Sequence, residues 1–502
     1  MELIKRALAR AFTRFEAVFE YAFGQSNTPF AWLGALGWYF YWIVAATGIY
    51  LYIFFDTGIT DAYASVEYMT HDQWYAAGVM RSLHRYASDA LVVVVVLHIF
   101  REFAFDRLRG RRFFAWLTGV PLLAFIYLCG ISGYWLVWDQ LAQYIAVATT
   151  EWLDTLPLFG EPIANNFLNS MTLGGRFFTL MVFIHIFGPL FMLLLMWVHI
   201  QRHSQAKVNP PRPLAIGTLA VLVVLSLVFP AISQGPADLD VVPTELGFDW
   251  FYLAVYPLLD VVPGGQLWLY LFAGFLMLAL LPWMPPARRV PAAAVNLDNC
   301  NGCTRCFDDC PFGAISMVPR SDGRAYDSEP IVNANQCTSC GICAGACPTS
   351  MPFRRSGPLQ AGIELPHRSI AKLREELLEG AQEARVLVFA CDTCDTTELG
   401  RGGAKVIRLP CVGMLPPSFV DFALARHHAA GVMIAGCAEG DCHHRLGNEW
   451  TIGRMARRRD PYLRQRVDER RLCLSWLPQG SARRRQRALA EFQVALAEID
   501  DE

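Results

Sequence analysis

Long blocks of apolar residues, many of them aromatic, dominate residues 30–285, whereas the chain on either side mixes apolar with charged positions. Six blocks stand out, at about 31–55, 79–104, 113–137, 172–203, 213–232 and 266–285. Each is near or above the ~20 residues a helix needs to cross ~30 Å of hydrocarbon. The pattern predicts an all-α transmembrane helical bundle of six spans in residues 30–290. Residues 138–170 contain EWLDTLPLFG, which reads as short helices at the outer surface. Residues 233–265 are aromatic but broken by Pro and Gly, and read as partly embedded. The first 23 residues are charged and amphipathic and lack the compact apolar core of a secretory signal. They read as a surface helix on the cytoplasmic face.

The connections after Phe100, His199 and Trp283 are basic, while 56–77, 138–170 and 233–265 contain no Lys or Arg. The positive-inside rule then predicts cytoplasmic termini and a multi-pass protein of a bacterial or archaeal cytoplasmic membrane. A net charge of −2 gives no sign of nucleic-acid binding. Fourteen of the 15 cysteines follow residue 290. On the cytoplasmic side they stay reduced and read as metal ligands rather than disulfides. The expected boundaries are an amphipathic segment 1–29, a membrane domain 30–290, a cysteine-rich module 291–353, a linker helix 354–383, a small α/β domain 384–480 and a C-terminal helix 481–502.

Within the apolar blocks four histidines form two matched pairs, His84 and His98, then His185 and His199, each with 13 residues between its members. On a helix, 14 steps of ~1.5 Å separate the paired side chains by ~21 Å, about 40° short of whole turns. Each helix thus offers one ligand near each membrane face. The second and fourth spans run in the same direction, so His84 is level with His185 on the outer side and His98 with His199 on the inner side. A single histidine on an apolar helix is more often a packed core residue. Two matched pairs are hard to reach by chance, and buried polar groups in a membrane are costly. Neutral imidazole suits haem iron, and bis-imidazole ligation leaves no open site, which favours electron transfer. Two b haems, one above the other, are expected. Gly34 and Gly48, then Gly119 and Gly133, repeat the same spacing in the first and third spans. Helix packing is the plainer role for them; the shared period favours close approach of a flat macrocycle.

At these residues the chain resembles the cytochrome b family of quinol–cytochrome reductases, over roughly 30–285. Arg81, three residues before His84, is similar to an arginine that meets a haem propionate in that family. GYWLVWDQ (133–140) resembles its GYxLPWxQ segment, with Val137 in place of Pro. FDWFYLAVYPLLDVVPGG (248–265) resembles the segment opening Pro-Glu-Trp-Tyr at the outer quinol site, with Asp249 at the Glu position and Phe248 and Phe251 replacing Pro and Tyr. The resemblance implies Asp249 as proton acceptor for quinol, His203 near an inner quinone, Arg176 as a further cofactor contact, and a homodimer through this domain.

Cys300, Cys303, Cys306 and Cys310-Pro, then Cys337, Cys340, Cys343 and Cys347-Pro, together give the bacterial two-cluster ferredoxin pattern. One [4Fe–4S] cluster should use Cys300, Cys303, Cys306 and Cys347, the other Cys337, Cys340, Cys343 and Cys310. Zinc is the plainer alternative, but both runs keep the full pattern with Pro. The module is expected to be α+β and ferredoxin-like. Further on, VLVFAC391, KVIRLPC411 and GVMIAGC437 read as parallel strands, whose carboxyl ends gather ligands. With Cys394 and Cys442, five thiols meet at one sheet edge, enough for one cluster. DTC394 and GCAEGDCHHRLGNEW (436–450) resemble the delta subunit of methyl-viologen-reducing hydrogenases. That resemblance implies a [2Fe–2S] cluster held by four of the five, and docking to a cytoplasmic flavoprotein or iron–sulfur partner of the heterodisulfide-reductase or dehydrogenase type. Cys129 and Cys473 read as packing residues.

Together these features predict a membrane redox subunit of a quinone-linked oxidoreductase complex. Chain order implies that electrons pass from [2Fe–2S] through two [4Fe–4S] clusters to the inner haem and on to the quinone pool. The sequence does not give the direction; cytoplasmic reductant to quinone is the simpler case, and quinol oxidation feeding a low-potential acceptor is the alternative. A non-catalytic redox sensor or scaffold, or a transporter, would not need two haems stacked across the bilayer. No G-x-G-x-x-G fingerprint follows a strand, so the flavin or substrate site is expected on a partner.

Overall fold

A computed structural model describes residues 2–24, 27–109, 112–157, 175–201, 207–284, 290–354, 359–380 and 385–501. The N-terminal part is helical: α1 (Glu2–Phe23), α2 (Leu33–Phe54), α3 (Asp61–His71), α4 (Val79–Ala104), α5 (Phe113–Val137), α6 (Gln140–Asp154), α7 (Gly175–Gln201), α8 (Arg212–Val228) and α9 (Gly264–Leu280). Among the described residues, four helical stretches are long and apolar enough to cross a membrane: Pro29–Phe54, Phe113–Val137, Phe178–Gln201 and Gly264–Trp283. At 26 residues α4 is as long, ~39 Å. Its charges sit in its first turns (Arg81, Arg85, Asp89) and its last (Arg101, Glu102), leaving an apolar centre. With 17 residues α8 is shorter than the block that predicts it. Phe229 leaves the helical conformation because it precedes Pro230, whose ring disfavours α geometry at that position.

Helix α2 packs along α4 and α5 along α7, so the two histidine helices each have a glycine-bearing neighbour. The turn at Trp138, which is left-handed at φ 53°, leads into α6. Asp139 caps α6 by accepting from the Ala142 amide at 2.9 Å, and its second oxygen accepts from the Gln234 amide, also at 2.9 Å. This pins the 233–238 segment over the bundle. Tyr252, Leu253 and Tyr256 of the following segment are buried, while Trp250 and Val261 are exposed, as expected for a partly embedded loop.

The remainder is an α/β region. Strands β1 (Ala294–Val295) and β4 (Ile363–Glu364) pair antiparallel, as do β2 (Ile315–Pro319) and β3 (Ser328–Val332). Strands β5 (Val386–Cys391), β6 (Ala404–Leu409), β7 (Gly431–Gly436) and β8 (Leu472–Trp476) form a parallel sheet in the order β6-β5-β7-β8. Its strands are short apolar runs because both faces are covered. The cysteine-rich module, the helix Ile370–Gly380 and one face of this sheet share a single core that includes Phe312, Ile342, Leu373, Phe389, Met414 and Phe419. The C-terminal helix Ala482–Asp501 covers the other face with Leu489, Phe492 and Leu496, against which Cys473 packs. The segments expected as 291–353, 354–383, 384–480 and 481–502 therefore lie against one another rather than as beads on a string.

Candidate redox sites

Helices α4 and α7 carry the four histidines. The rings of His84 and His185 face each other with centroids 6.4 Å apart. That spacing suits two imidazoles bonded to one metal at about 2 Å each. His98 and His199 line one cavity of about 290 Å3 together with Gly34 and Gly119. Each glycine of the repeating period faces a histidine. A Cβ built on Gly48 would lie 3.0 Å from His84 Cε1, on Gly133 2.9 Å from His185 Cε1, on Gly119 3.4 Å from His199 Cε1 and on Gly34 3.5 Å from His98 Cε1. The glycines keep the space beside the imidazoles that a planar group needs.

Hydrogen bonds fix the ring orientation. His84 Nδ1 lies 3.0 Å from the Val44 carbonyl and His185 Nδ1 3.1 Å from the Cys129 carbonyl. A carbonyl only accepts, so each Nδ1 carries the hydrogen and each Nε2 keeps the lone pair that a metal requires. Hydroxyls add to this: Thr47 Oγ1 lies 3.1 Å from His84 Nδ1, Ser132 Oγ 3.2 Å from His185 Nδ1 and Thr118 Oγ1 3.0 Å from His199 Nδ1. These three were missed in the sequence, yet each immediately precedes a glycine of the period. The donor set and the glycine cradle fit haem at both levels.

Arg81 donates to the Thr70 hydroxyl and, at 2.9 Å, to Ser233 Oγ. Asp249 is buried; Tyr134 donates to its Oδ2, Arg85 pairs with it at 3.1 Å, and the Phe251 amide donates to its Oδ1 at 2.8 Å. Arg85 also pairs with Asp89 at 2.6 Å, so two carboxylates share one guanidinium. Asp89, Arg85 and Tyr134 join Asp249 here although the sequence reading had not selected them. His203 lies outside the described residues, as does the side chain of Arg176.

In the cysteine-rich module, Cys300, Cys303, Cys306 and Cys347 line a common small cavity. Cys343 has Cys340, Cys310 and Cys337 as electrostatic neighbours, with Cys306 of the first set also close. The two expected ligand sets are thus each brought together, with the fourth cysteine of each run crossing to the other set. The loops share one shape: Gly302 and Thr304 flank Cys303 at φ 64° and 61°, and Ser339 and Gly341 flank Cys340 at φ 55° and 76°. Thr304 holds this left-handed conformation despite β-branching, which costs strain. Amides donate to sulfur, from Ala314 to Cys310 at 3.3 Å and from Ser339 to Cys337 at 3.4 Å. Burial pushes the Cys306 and Cys340 thiols up to about 12. Thiolates in such pockets need a metal's positive charge, which iron supplies.

Cys391 ends β5, Cys437 follows β7 directly and Cys411 follows β6 after Pro410, all at the carboxyl edge of the sheet. The sulfurs of Cys391, Cys394 and Cys437 lie within 4.8 Å of one another, and Cys411 lies against Cys391 and Cys442. All five are buried. The Val412 amide donates to Cys391 Sγ at 3.2 Å. A Cβ on Gly447 would meet Cys411 Sγ at 2.1 Å, so only glycine allows that sulfur its position. The thiols form a nest fit for a cluster. Cys473 stands apart on β8, its thiol pushed up to about 11 by burial.

The nest lies against the bundle. Cys442 lines the same cavity as His98 and His199. Next to it, Asp441 accepts from Arg101 Nη1 at 2.9 Å and Nη2 at 2.7 Å, and from Arg107. Arg112 donates to the His443 carbonyl at 2.9 Å. Burial raises the Asp441 carboxyl, but the Arg101 and Arg107 guanidiniums outweigh it and hold it well below the usual carboxylate range. Helix α1 joins the interface through Glu16, which pairs with Arg101 at 2.8 Å, and Glu20, which pairs with Arg484.

Three family models match the chain in series. Residues 23–206 match cytochrome b/b6/petB, residues 299–351 a 4Fe-4S dicluster domain, and residues 386–500 the delta subunit of methyl-viologen-reducing hydrogenase. A solved structure described as a hyperthermophilic respiratory Complex III matches at 20% identity over 55% of this chain and 81% of that chain, with a TM-score of 0.42. The chain is thus similar in turn to a cytochrome b, a dicluster iron–sulfur domain and a hydrogenase delta subunit, three redox modules on one polypeptide.

Proposed function

We propose that this protein is the membrane electron-transfer subunit of an oxidoreductase complex, linking a cytoplasmic flavin or iron–sulfur partner to the quinone pool. The observation that carries the reading is the single cavity lined by His98, His199 and Cys442, which joins the two kinds of ligand set. When bound, haem and iron–sulfur clusters supply one-electron carriers without an open coordination site for substrate. The chain's own part is to hold and insulate them. His84 with His185, and His98 with His199, hold two b haems in a bundle of six spans, of which α4 is the second and α8 the fifth. The dicluster cysteines hold two [4Fe–4S] clusters in a ferredoxin-like module, and four of Cys391, Cys394, Cys411, Cys437 and Cys442 hold a [2Fe–2S] cluster. Asp249, with its Tyr134 and Arg85 partners, handles the proton of an outer quinol; His203 serves an inner quinone. Both termini and the iron–sulfur region face the cytoplasm, and the bundle pairs with a second copy.

The test is purification of the intact protein followed by quinone- and quinol-dependent redox difference spectra of b haem, with electron paramagnetic resonance of the clusters. Haem that responds to quinone in either direction supports the reading, and the same traces give the direction. A haem-free preparation sinks it.

A further inference from the structure

Chain order and spatial order differ in this protein. Along the chain the dicluster module lies between the membrane domain and the C-terminal domain. In space, the C-terminal nest adjoins the inner histidines, and the dicluster module packs against that nest. The Met414 side chain and the Gly413 carbonyl, next to Cys411, pack on Gly341 and Gly345 of the loop that carries Cys340 and Cys343. Arg454 ties the two by donating to the Gly413 carbonyl at 2.8 Å and pairing with Asp309, and Arg445 donates to the Pro311 carbonyl at 2.8 Å. The other dicluster nest has its own cavity, lined by residues of the module and its β4 strand, and Cys303 there is exposed.

We infer that the thiol nest of Cys391, Cys394, Cys411, Cys437 and Cys442 is the immediate electron-exchange neighbour of the haem between His98 and His199, and that the dicluster nests stand outside it. This rests on the electron-transfer reading and revises the relay order that chain order implies. The sequence of stations is the Cys303 nest, the Cys340 nest, the C-terminal nest, then the inner histidines. The cluster that these cysteines would hold would pass one electron to the haem that His98 and His199 would hold, a reduced flavin or iron–sulfur protein would restore it through the exposed Cys303 end, and the exchange would run equally in reverse. Asp441 is the positioning residue. Its carboxylate, clamped by Arg107 and by Arg101, which lies three residues along α4 from His98, seats the neighbouring Cys442.

The experiment uses the full-length, fully reduced protein mixed rapidly with oxidised quinone, with optical recording of b haem and freeze-quench paramagnetic resonance of each cluster. In the unaltered protein, haem oxidation is followed by loss of all cluster signals. In Cys442→Ser, haem should still oxidise while the dicluster signals persist, slowed by at least an order of magnitude. In Cys303→Ser, the C-terminal cluster should still discharge at the original rate. Asp441→Asn, with Asp441→Glu as rescue, covers the case in which Cys442→Ser does not assemble: cluster signals intact, discharge slowed, and restored by Glu. Undiminished dicluster discharge in Cys442→Ser or Asp441→Asn, or blocked C-terminal discharge in Cys303→Ser, overturns the order. Haem that quinone does not oxidise in the unaltered protein would instead remove the electron-transfer reading on which the order rests.

Discussion

Alanine at the four period glycines provides a graded test of how the histidine helices are spaced. At Gly133 the added Cβ would sit 2.9 Å from His185 Cε1 and at Gly48 3.0 Å from His84 Cε1, closer than packed carbon atoms approach. At Gly119 and Gly34 the corresponding distances are 3.4 and 3.5 Å, close to ordinary contact. Overpacking a tight interior costs ~1–3 kcal/mol. Against it, Ala is favoured over Gly within a helix by ~1 kcal/mol. The balance is a loss of up to ~2 kcal/mol at Gly133 and Gly48, roughly thirtyfold in an equilibrium constant, and close to zero at the other two. The outer histidines cannot yield freely, since Val44, Cys129, Thr47 and Ser132 hold their Nδ1 atoms. Haem per protein, measured by pyridine haemochrome, should therefore fall in the order Gly133→Ala, Gly48→Ala, then Gly119→Ala and Gly34→Ala. The outer haem should go first in redox difference spectra. Equal loss at all four positions, or loss confined to the inner pair, would refute the spacing argument.

Asp249→Asn should sharply lower quinone-linked turnover and leave haem spectra unchanged; unaltered turnover would remove Asp249 from the quinol site. Thr47→Val and Ser132→Ala remove one of two acceptors at His84 and His185, so the outer haem should stay bound with a shifted midpoint potential, while the inner haem's potential stays put. Thr304→Gly relieves a β-branched residue at φ 61°, a conformation that costs L-residues about 1–2 kcal/mol; the Cys303 cluster should resist loss at higher temperature than in the unaltered protein, read by its paramagnetic signal on heating.

The apolar blocks were legible because a membrane helix must be continuous and nearly uncharged, and the limits of all six blocks fall within five residues of the helix ends. Helix α8 ends short of its block at a proline effect that hydropathy does not weigh. The histidine and cysteine sets were legible because spacing along one helix or one tight loop is itself geometry. Asp89 was not. Its partner Arg85 lies on its own helix, but the Asp249 carboxylate that shares this guanidinium comes from a loop 160 residues further on, and only folding brings it near. Asp441 was hidden in the same way: its arginines lie more than 330 residues earlier.

Connectivity left the order of the modules open. The ten residues from Met284 to Ala294 reach at most ~36 Å, while a module of some sixty residues has a radius of ~10 Å, so either iron–sulfur module could face the bundle. Charge selects one. Arg101, Arg107 and Arg112 belong to the basic end of α4 and the connection after it, and these side chains grip the Asp441–His443 loop. Two acidic partners on that loop and the helix after it separate by burial. Glu449 pairs with Lys207 at 3.0 Å with both side chains about half exposed, a class of pair worth ~0–1 kcal/mol. The Asp441 side chain is 8% exposed and that of Arg101 4%. Removing one member of such a pair strands the other and costs ~3–5 kcal/mol. Asp441→Ala should therefore raise hydrogen exchange in residues 436–446 and at the end of α4 by two or more orders of magnitude, and Glu449→Ala by less than one. Equal effects would mean that the C-terminal domain is held by diffuse charge attraction, and that no particular thiol is seated against His98 and His199.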